Sequence, residues 1–416
     1  MLIALWLRMS STRALRGGRT QVLVVGAGPV GLLAAIRLRK QGIDVRVIEQ
    51  QTELRARTFP VVLHPRSLRL LGDLGLAAAL FWRGRPVTRL AVYTDHERRA
   101  VLDLSKATGV GAGILTLPQD VLRRALNNAL EELGVAIEWN TRLAVLAQDE
   151  RSVWGRLVQH EPNHRAAGGR LNVESFDADY VLGADGYEST VREALGIQLV
   201  DHGALSSYVF FDGVTPRSGR EAQLALSDEF ANAVYPLQDG MARFTFQMNR
   251  CLDRATDIHL LRDLVKSRLP WFGSEIDESP WSGVAEFRRA LAERFGHGRV
   301  WLAGEAAHLT GPLGVQSLNV GLDEANELAL HVAEAIRHPA SQGFGHDYDL
   351  KRSQQWRQLL GLEEQATPST RSPDWARRYL SRLIACLPAS EADLDDLLEQ
   401  LRVTPKSGRP DALAGA

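Results

Sequence analysis

Cysteine is almost absent from this 416-residue chain, in which Cys251 and Cys386 are the only two. They stand far apart, which gives neither a disulfide framework nor the close ligand spacing of a metal site. A reducing compartment, the cytoplasm, fits that usage. A surplus of charge of one sign is lacking too. The 49 Lys and Arg are balanced by 50 Asp and Glu, for a formal net charge of -1. The basic residues are scattered, so the concentrated cationic footprint that a phosphate backbone demands is missing and nucleic acid is not an expected partner. No run approaches the ~18 apolar residues of a spanning helix, which excludes an integral membrane segment. The opening MLIALWLRMSSTRALRGG has only the short apolar stretch Leu2 to Leu7 and no small-residue cleavage site. Residues 1–19 therefore read as a disordered leader, with Met9 a second candidate start.

What is present is a globular composition, 45% hydrophobic, in a chain long enough for two domains or one large domain with an inserted lobe. In QVLVVGAGPVGLLAAIRLRKQGIDVRVIEQ, residues 21–50, Val22 to Val25 form an apolar run suited to a strand buried on both faces. Gly26, Gly28 and Gly31 then complete GxGxxG, enclosing Pro29 at a first-turn position and Val30. A helix follows to Gly42, and a second strand, Val45 to Ile48, ends at Glu49 and Gln50, with Glu49 standing 23 positions after Gly26. The first glycine permits the tight turn, the second lets a pyrophosphate approach the backbone, and the third lets helix pack on strand. Glu49 can accept from a ribose hydroxyl. The whole is a dinucleotide fingerprint in its proper strand-turn-helix setting.

Two later stretches repeat that setting. DADYVLGADGYESTVREALGI, residues 177–197, is a strand ending in Asp185 and Gly186 before a short helix. RVWLAGEAAHLTGPLGVQSLNVGLDEANELA, residues 299–329, runs from a strand through Glu305 and His308 into a turn at Gly311, Pro312 and Gly314. A helix is expected from about Ser317, with Leu318, Leu322, Ala325, Ala329, Val332 and Ile336 as its buried stripe. His308, beside the turn, invites a role as a general base, although a histidine so placed is more often a structural hydrogen-bonder, and it is left unassigned. Between 200 and 285 the period changes to strands, as in MARFTFQM, which sets Ala242, Phe244, Phe246 and Met248 against Arg243, Thr245 and Gln247. Phe210, Tyr235, Phe244 and Phe246 read there as ordinary core. WARRYLSRLIACL and ASEADLDDLLEQL in the tail are helical, the latter with Ser390 placed as an N-cap.

In that order, GxGxxG, GADG and the GEAAH block resemble the single-component FAD-dependent monooxygenases of the para-hydroxybenzoate hydroxylase type over residues 20–340. LHPRSLRLLGDLGL and LPQDVLRRAL also resemble that family's connecting segments. The resemblance implies an α/β fold. A discontinuous Rossmann-like FAD domain of the glutathione reductase type would span 20–200 and 286–340, an antiparallel sheet lobe 201–285 would bind substrate, and 341–416 would be a helical C-terminal segment. A pocket role for Phe210, Tyr235, Phe244 and Phe246 of that lobe is only what the resemblance implies. It implies that Glu49 holds the adenosine ribose and that Gln119 lies near the flavin. Asp185 and Gly186 would serve both FAD and the nicotinamide donor, Glu305 the ribityl chain, and Pro312, Gly314, Ser317, Leu318 and Asn319 the isoalloxazine edge. The chain departs from the family in three places: Glu305 stands for the usual Asp, Val315 and Ser317 occupy positions that are usually glycine, and Arg57 is the nearest candidate for an arginine whose ungapped position is Phe59. The implied reaction is hydroxylation or epoxidation of a small hydrophobic, aromatic substrate. NADPH or NADH would be a transient donor, FAD would be bound non-covalently, and O₂ would be used through a flavin C4a-hydroperoxide. A flavin dehydrogenase or oxidase, or a non-catalytic flavin-binding protein, would share the same FAD motifs.

Overall fold

The computed structural model describes residues 18–53, 60–106, 113–160, 171–215, 221–249, 257–273, 275–338, 344–363, 366–368 and 370–405. All of the expected leader but Gly18 and Arg19 lies outside the described residues, as do Phe59 and Arg57. Five parallel strands form the centre, in the order Val300–Leu302, Leu171–Gly183, Arg19–Val25, Val45–Ile48, Ile137–Glu138. Val22, Leu23 and Val24 are fully buried, as the continuous apolar run requires of a strand covered on both faces. The register aligns Val25 with Ile48 and with Gly183, and Gly183 with Leu302. The turns after Val25, Gly183 and Leu302 therefore open along one edge of the sheet, the carboxyl edge at which α/β sheets bind ligands.

Helix Pro29–Lys40 packs against helix Gln316–Arg337 on this sheet. The expected stripe is real: Leu322, Ala325, Ala329 and Val332 are fully buried, with Leu318 and Ile336 half-buried at its ends. The helix starts at Gln316, one residue before the expected position.

The lobe sheet has the order Trp281–Phe287, Ser206–Val214, Met241–Met248, Ala231–Pro236, Glu221–Leu226, Arg89–Thr94, Glu97–Asp103. It is thus not confined to residues 201–285. A hairpin from far upstream is recruited to it, and Arg89–Thr94 runs parallel to Glu221–Leu226, the single parallel pair in an otherwise antiparallel sheet. The hairpin covers an edge whose backbone groups would otherwise lie unpaired. Both faces of this sheet are covered. Phe244 and Phe246 pack with Leu261 and Leu264 of helix Ile258–Arg268, while Arg243 and Thr245, expected on a polar face, are buried on the other side.

The tail docks as helices on the parallel-sheet domain. Helix Phe344–Leu359 buries Tyr348, Arg352 and Trp356, and Arg352 pairs with Glu327 and, at 2.9 Å, with Asp323 of the long helix. Arg69 pairs with Asp393 at 3.0 Å and Arg66 with Glu391 at 2.9 Å, which fixes helix Glu391–Gln400 to helix Pro65–Asp73. Ser390 occupies the N-cap as expected, but its side chain makes no capping bond.

The fingerprint turn is tightly closed. A β-carbon at Gly31 would stand 2.0 Å from the Gly26 carbonyl oxygen. Gly31→Ala should therefore destabilise the protein beyond the about 1–3 kcal/mol of an ordinary overpacked core, because the obstructing atom is backbone. A urea midpoint no lower than wild type would contradict this.

Candidate functional site

The fingerprint turn is built by glycine and by a carboxylate. Gly26 takes φ 104, and a β-carbon there would meet the Ala184 carbonyl oxygen at 2.3 Å, so only glycine lets two strand ends touch. Gly28 caps helix Pro29–Lys40 with no side-chain bond to the first-turn N–H groups. A β-carbon at Gly28 would meet no atom within 4 Å and would project into the cleft that this residue lines. Glu49 is buried, and its carboxylate accepts from the Ala27 N–H at 2.8 Å and the Gln51 N–H at 2.9 Å. It braces the two turns beside each other while lining the cleft with Gln50 and Gln51.

At the second turn Asp185 accepts from Ser189 Oγ at 2.5 Å, Thr190 Oγ1 at 3.0 Å and the Val191 N–H at 3.1 Å. Burial pushes its carboxyl pKa up against those three donors. Gly186, at φ 80, leaves open space beside it. Arg192 donates to the carbonyls of Ala306 and Tyr187, both at 2.9 Å, and so locks the second turn to the third.

At the third turn Gly304, at φ 67, rests on Val30, whose nearest methyl lies 3.1 Å from where a β-carbon would be. Its N–H donates to Glu324 Oε2 at 2.8 Å. Glu324, fully buried on the long helix, also meets His308 Nε2 at 2.9 Å and accepts from Trp356 Nε1 at 2.7 Å. His308 stacks on Trp356 with ring centroids 3.7 Å apart and is not among the residues lining the cleft. Its side chain is fully buried, away from the cleft. Glu305 points the other way, into the cleft, and the protein around it raises its carboxyl pKa while His308 opposes that shift.

The loop ahead of the long helix is shaped from behind. The Gly314 carbonyl meets His64 Nε2 at 2.8 Å, Tyr235 donates to the Leu313 carbonyl at 2.9 Å, and Gln316 donates to the Ile384 carbonyl at 2.9 Å. A β-carbon at Gly314 would come 2.6 Å from the carbonyl oxygen of Ala385, in the tail helix Leu380–Cys386. Val315 takes φ 49 and ψ 35, the left-handed conformation that costs a β-branched residue about 1–3 kcal/mol. Asn319 is buried away from the cleft. It accepts from the His64 N–H and from Ser67 Oγ, and donates to the carbonyls of Val62 and Val315.

These turns border one cavity of about 420 Å³. Of the expected site residues, Gly26, Gly28, Val30, Glu49, Gln50, Gln119, Asp185, Gly186, Glu305, Pro312, Ser317 and Leu318 line it. Gly31, Gly314 and Asn319 lie behind it as supports. The sequence reading misses the supports Glu324 and Arg192 and two cations on the cleft, Arg123 and Arg142. Only Glu324 leaves a trace in sequence: an acid one position from Ala325 of the buried stripe. Phe210 and Tyr235 line the inner end with Phe287 and Thr245, whereas Phe244 and Phe246 are core. Ser317 Oγ and Gln51 Oε1, on residues lining the cleft, are buried with no hydrogen-bond partner among the described residues. With the open space at Gly28, they suit a cofactor carrying polar groups along its length.

Residues 19–362 match the profile of a family described as the FAD binding domain. The chain belongs to this family. FAD is the cofactor. Within the family, 6-methylpretetramide 4-monooxygenase of Streptomyces rimosus is 29% identical over 354 residues, 83% of this chain and 61% of that protein. Pentachlorophenol 4-monooxygenase of Sphingobium chlorophenolicum is 27% identical over 365 residues, 82% of this chain and 63% of that protein. The chain spans under two thirds of the length of both relatives. The solved p-nitrophenol 4-monooxygenase of Pseudomonas putida shares the fold, with a TM-score of 0.70 and 23% identity over 92% of this chain and 97% of that one. The FAD-binding α/β architecture expected from the sequence is therefore correct. No helix among the described residues is long and apolar enough to cross a membrane.

Gly28→Val separates binding from folding. A β-carbon there meets no atom within 4 Å and faces the cleft, so the variant should keep the urea midpoint of FAD-free wild type and purify colourless. Full FAD occupancy in Gly28→Val would remove the fingerprint turn from the cofactor site.

Proposed function

We propose that the protein is an NAD(P)H-dependent monooxygenase that hydroxylates or epoxidises a small hydrophobic, aromatic compound. The observation that carries this reading is the continuity of the cleft, from the fingerprint turn to a chamber walled by Phe210, Tyr235 and Phe287. Relatives named for pentachlorophenol and p-nitrophenol act on phenols, whose rings match such walls. FAD supplies the two-electron reduction and the oxygen activation when bound, while the protein supplies orientation, dryness and electrostatics.

In this reading Glu49 and Gln50 hold the adenosine ribose, and Gly26, Gly28 and Val30 bring backbone to the pyrophosphate. Arg123 and Arg142 offset the pyrophosphate charge. Glu305 takes the ribityl hydroxyls, its extra methylene accommodated because it projects freely into the cleft. Gln119, Pro312, Ser317 and Leu318 border the isoalloxazine. The free N–H groups at the start of helix Gln316–Arg337 face negative charge on the reduced ring with the positive end of the helix dipole. The donor docks transiently near Asp185 and Gly186, and O₂ is the second substrate. We place this reaction in the cytoplasm, where NAD(P)H is supplied.

Leu318→Pro removes one N–H from the first helical turn, a position where proline is tolerated. In folded, FAD-loaded protein it should lower the flavin reduction potential, and an unchanged potential would mean that the helix serves another purpose.

The reaction itself is read from oxygen. Donor oxidation should be slow alone and rise when an aromatic substrate is added, and under ¹⁸O₂ the product should carry one labelled oxygen. Label found only in hydrogen peroxide would make the protein an oxidase.

A further inference from the structure

FAD laid along the cleft from Gly28 to Pro312 would screen the aromatic chamber from the mouth of the cleft, so a substrate needs another way in. A second cavity of about 410 Å³ lies on the far side of the chamber, and the two cavities share three lining residues, Thr116, Leu237 and Arg243. We propose that this second cavity is the access route for a planar, uncharged aromatic substrate, with Arg243 as the gate at its inner end. The proposal rests on the monooxygenase reading.

Thr116 and Leu237 flank the gate. Thr116 is buried in the strand Ile114–Pro118 and donates from Oγ1 to the Pro236 carbonyl, and the backbone N–H of Leu237 is tied to the Met241 carbonyl. Arg243 is held differently. Nε and Nη2 grip the two oxygens of Asp212, at 2.5 and 2.8 Å, and the guanidinium lies 4.4 Å from the Trp281 ring and 6.0 Å from the Phe210 ring. Asp212 and Trp281 line the second cavity, and Phe210 lines the chamber. The gate thus sits between an aromatic ring on each side. Its charge is neutralised by Asp212, so an uncharged ring passes without an electrostatic barrier and can replace the guanidinium on Trp281 as it goes. The outer rim is built to meet such a ring. Gln238 donates to the carbonyls of Trp82 and Gly84, and Trp82 stands 87% exposed beside it.

A gate differs from a binding site in what it changes. It alters the barrier crossed in both directions and leaves the equilibrium untouched. Met241 lines the second cavity and takes no part in the cleft, so Met241→Trp narrows the route alone. The FAD-loaded protein is mixed by stopped flow with a panel of phenols and naphthols, and binding is followed by perturbation of the flavin spectrum. The tightest binder then serves as the probe. Met241→Trp should lower kon and koff together by about tenfold or more while Kd changes less than about twofold. Trp281→Ala, which opens the inner wall, should raise both rates. It decides alone if Met241→Trp loses FAD. Rates unchanged in the variants, or a change confined to koff and Kd, would overturn the route while leaving the monooxygenase reading in place. Failure of every aromatic to perturb the wild-type flavin would overturn both.

Discussion

At the fingerprint crossing the chain leaves no room for a side chain. The Gly26 backbone passes so close to Ala184 and Gly31 that a β-carbon at Gly26 or Gly31 would fall within 2.3 Å of a carbonyl oxygen. This contact brings two parallel strand ends and the fingerprint helix into one corner, and the rest of the site depends on it. The Ala184 N–H donates to the Val25 carbonyl and the Ala303 N–H to the Gly183 carbonyl, so the three turns are stitched in sequence along the sheet edge. Widening the corner would separate Glu49, Asp185 and Glu305, which now border a single cleft.

Carboxylates then hold what the glycines permit. Glu49, Asp185 and Glu324 each accept a backbone N–H from a turn or helix start, and such charge-assisted bonds are about twice as strong as neutral ones. Glu324 does most, gathering the Gly304 turn, His308 and Trp356 on one buried side chain. Through Trp356 the tail reaches the Gly304 turn, and through Ala385 it presses on Gly314 beside the left-handed Val315. A segment outside the sheet domain thereby sets the conformation of the loop that borders the cleft.

The three strand-turn-helix units, their order and the buried stripe of the long helix were legible because their causes are local. A positive φ, an absent β-carbon and a 3.6-residue period are written in adjacent letters. The same reasoning identified twelve residues that line the cleft. It could not separate these from Gly31, Gly314 and Asn319, because a residue that touches a ligand and one that supports it from behind share the same motif. Glu324 and Arg192 went unread because a buried charge is recognised by its partners, which come from distant segments.

The amino-acid sequence by itself determined the dinucleotide turn and the buried central strand, which follow from short-range steric and periodic rules, and the order of its motifs carried the resemblance to the family. Only the tertiary structure decided which face of each lobe strand looks inward. Alternation puts Phe244 and Phe246 on one face and Arg243 and Thr245 on the other, but both faces are buried, and what covers each is fixed by segments far away in the chain. The upstream hairpin Arg89–Asp103, the Asp212 partner of Arg243 and the tail behind Val315 are all contacts of that kind, chosen by packing rather than by neighbouring residues.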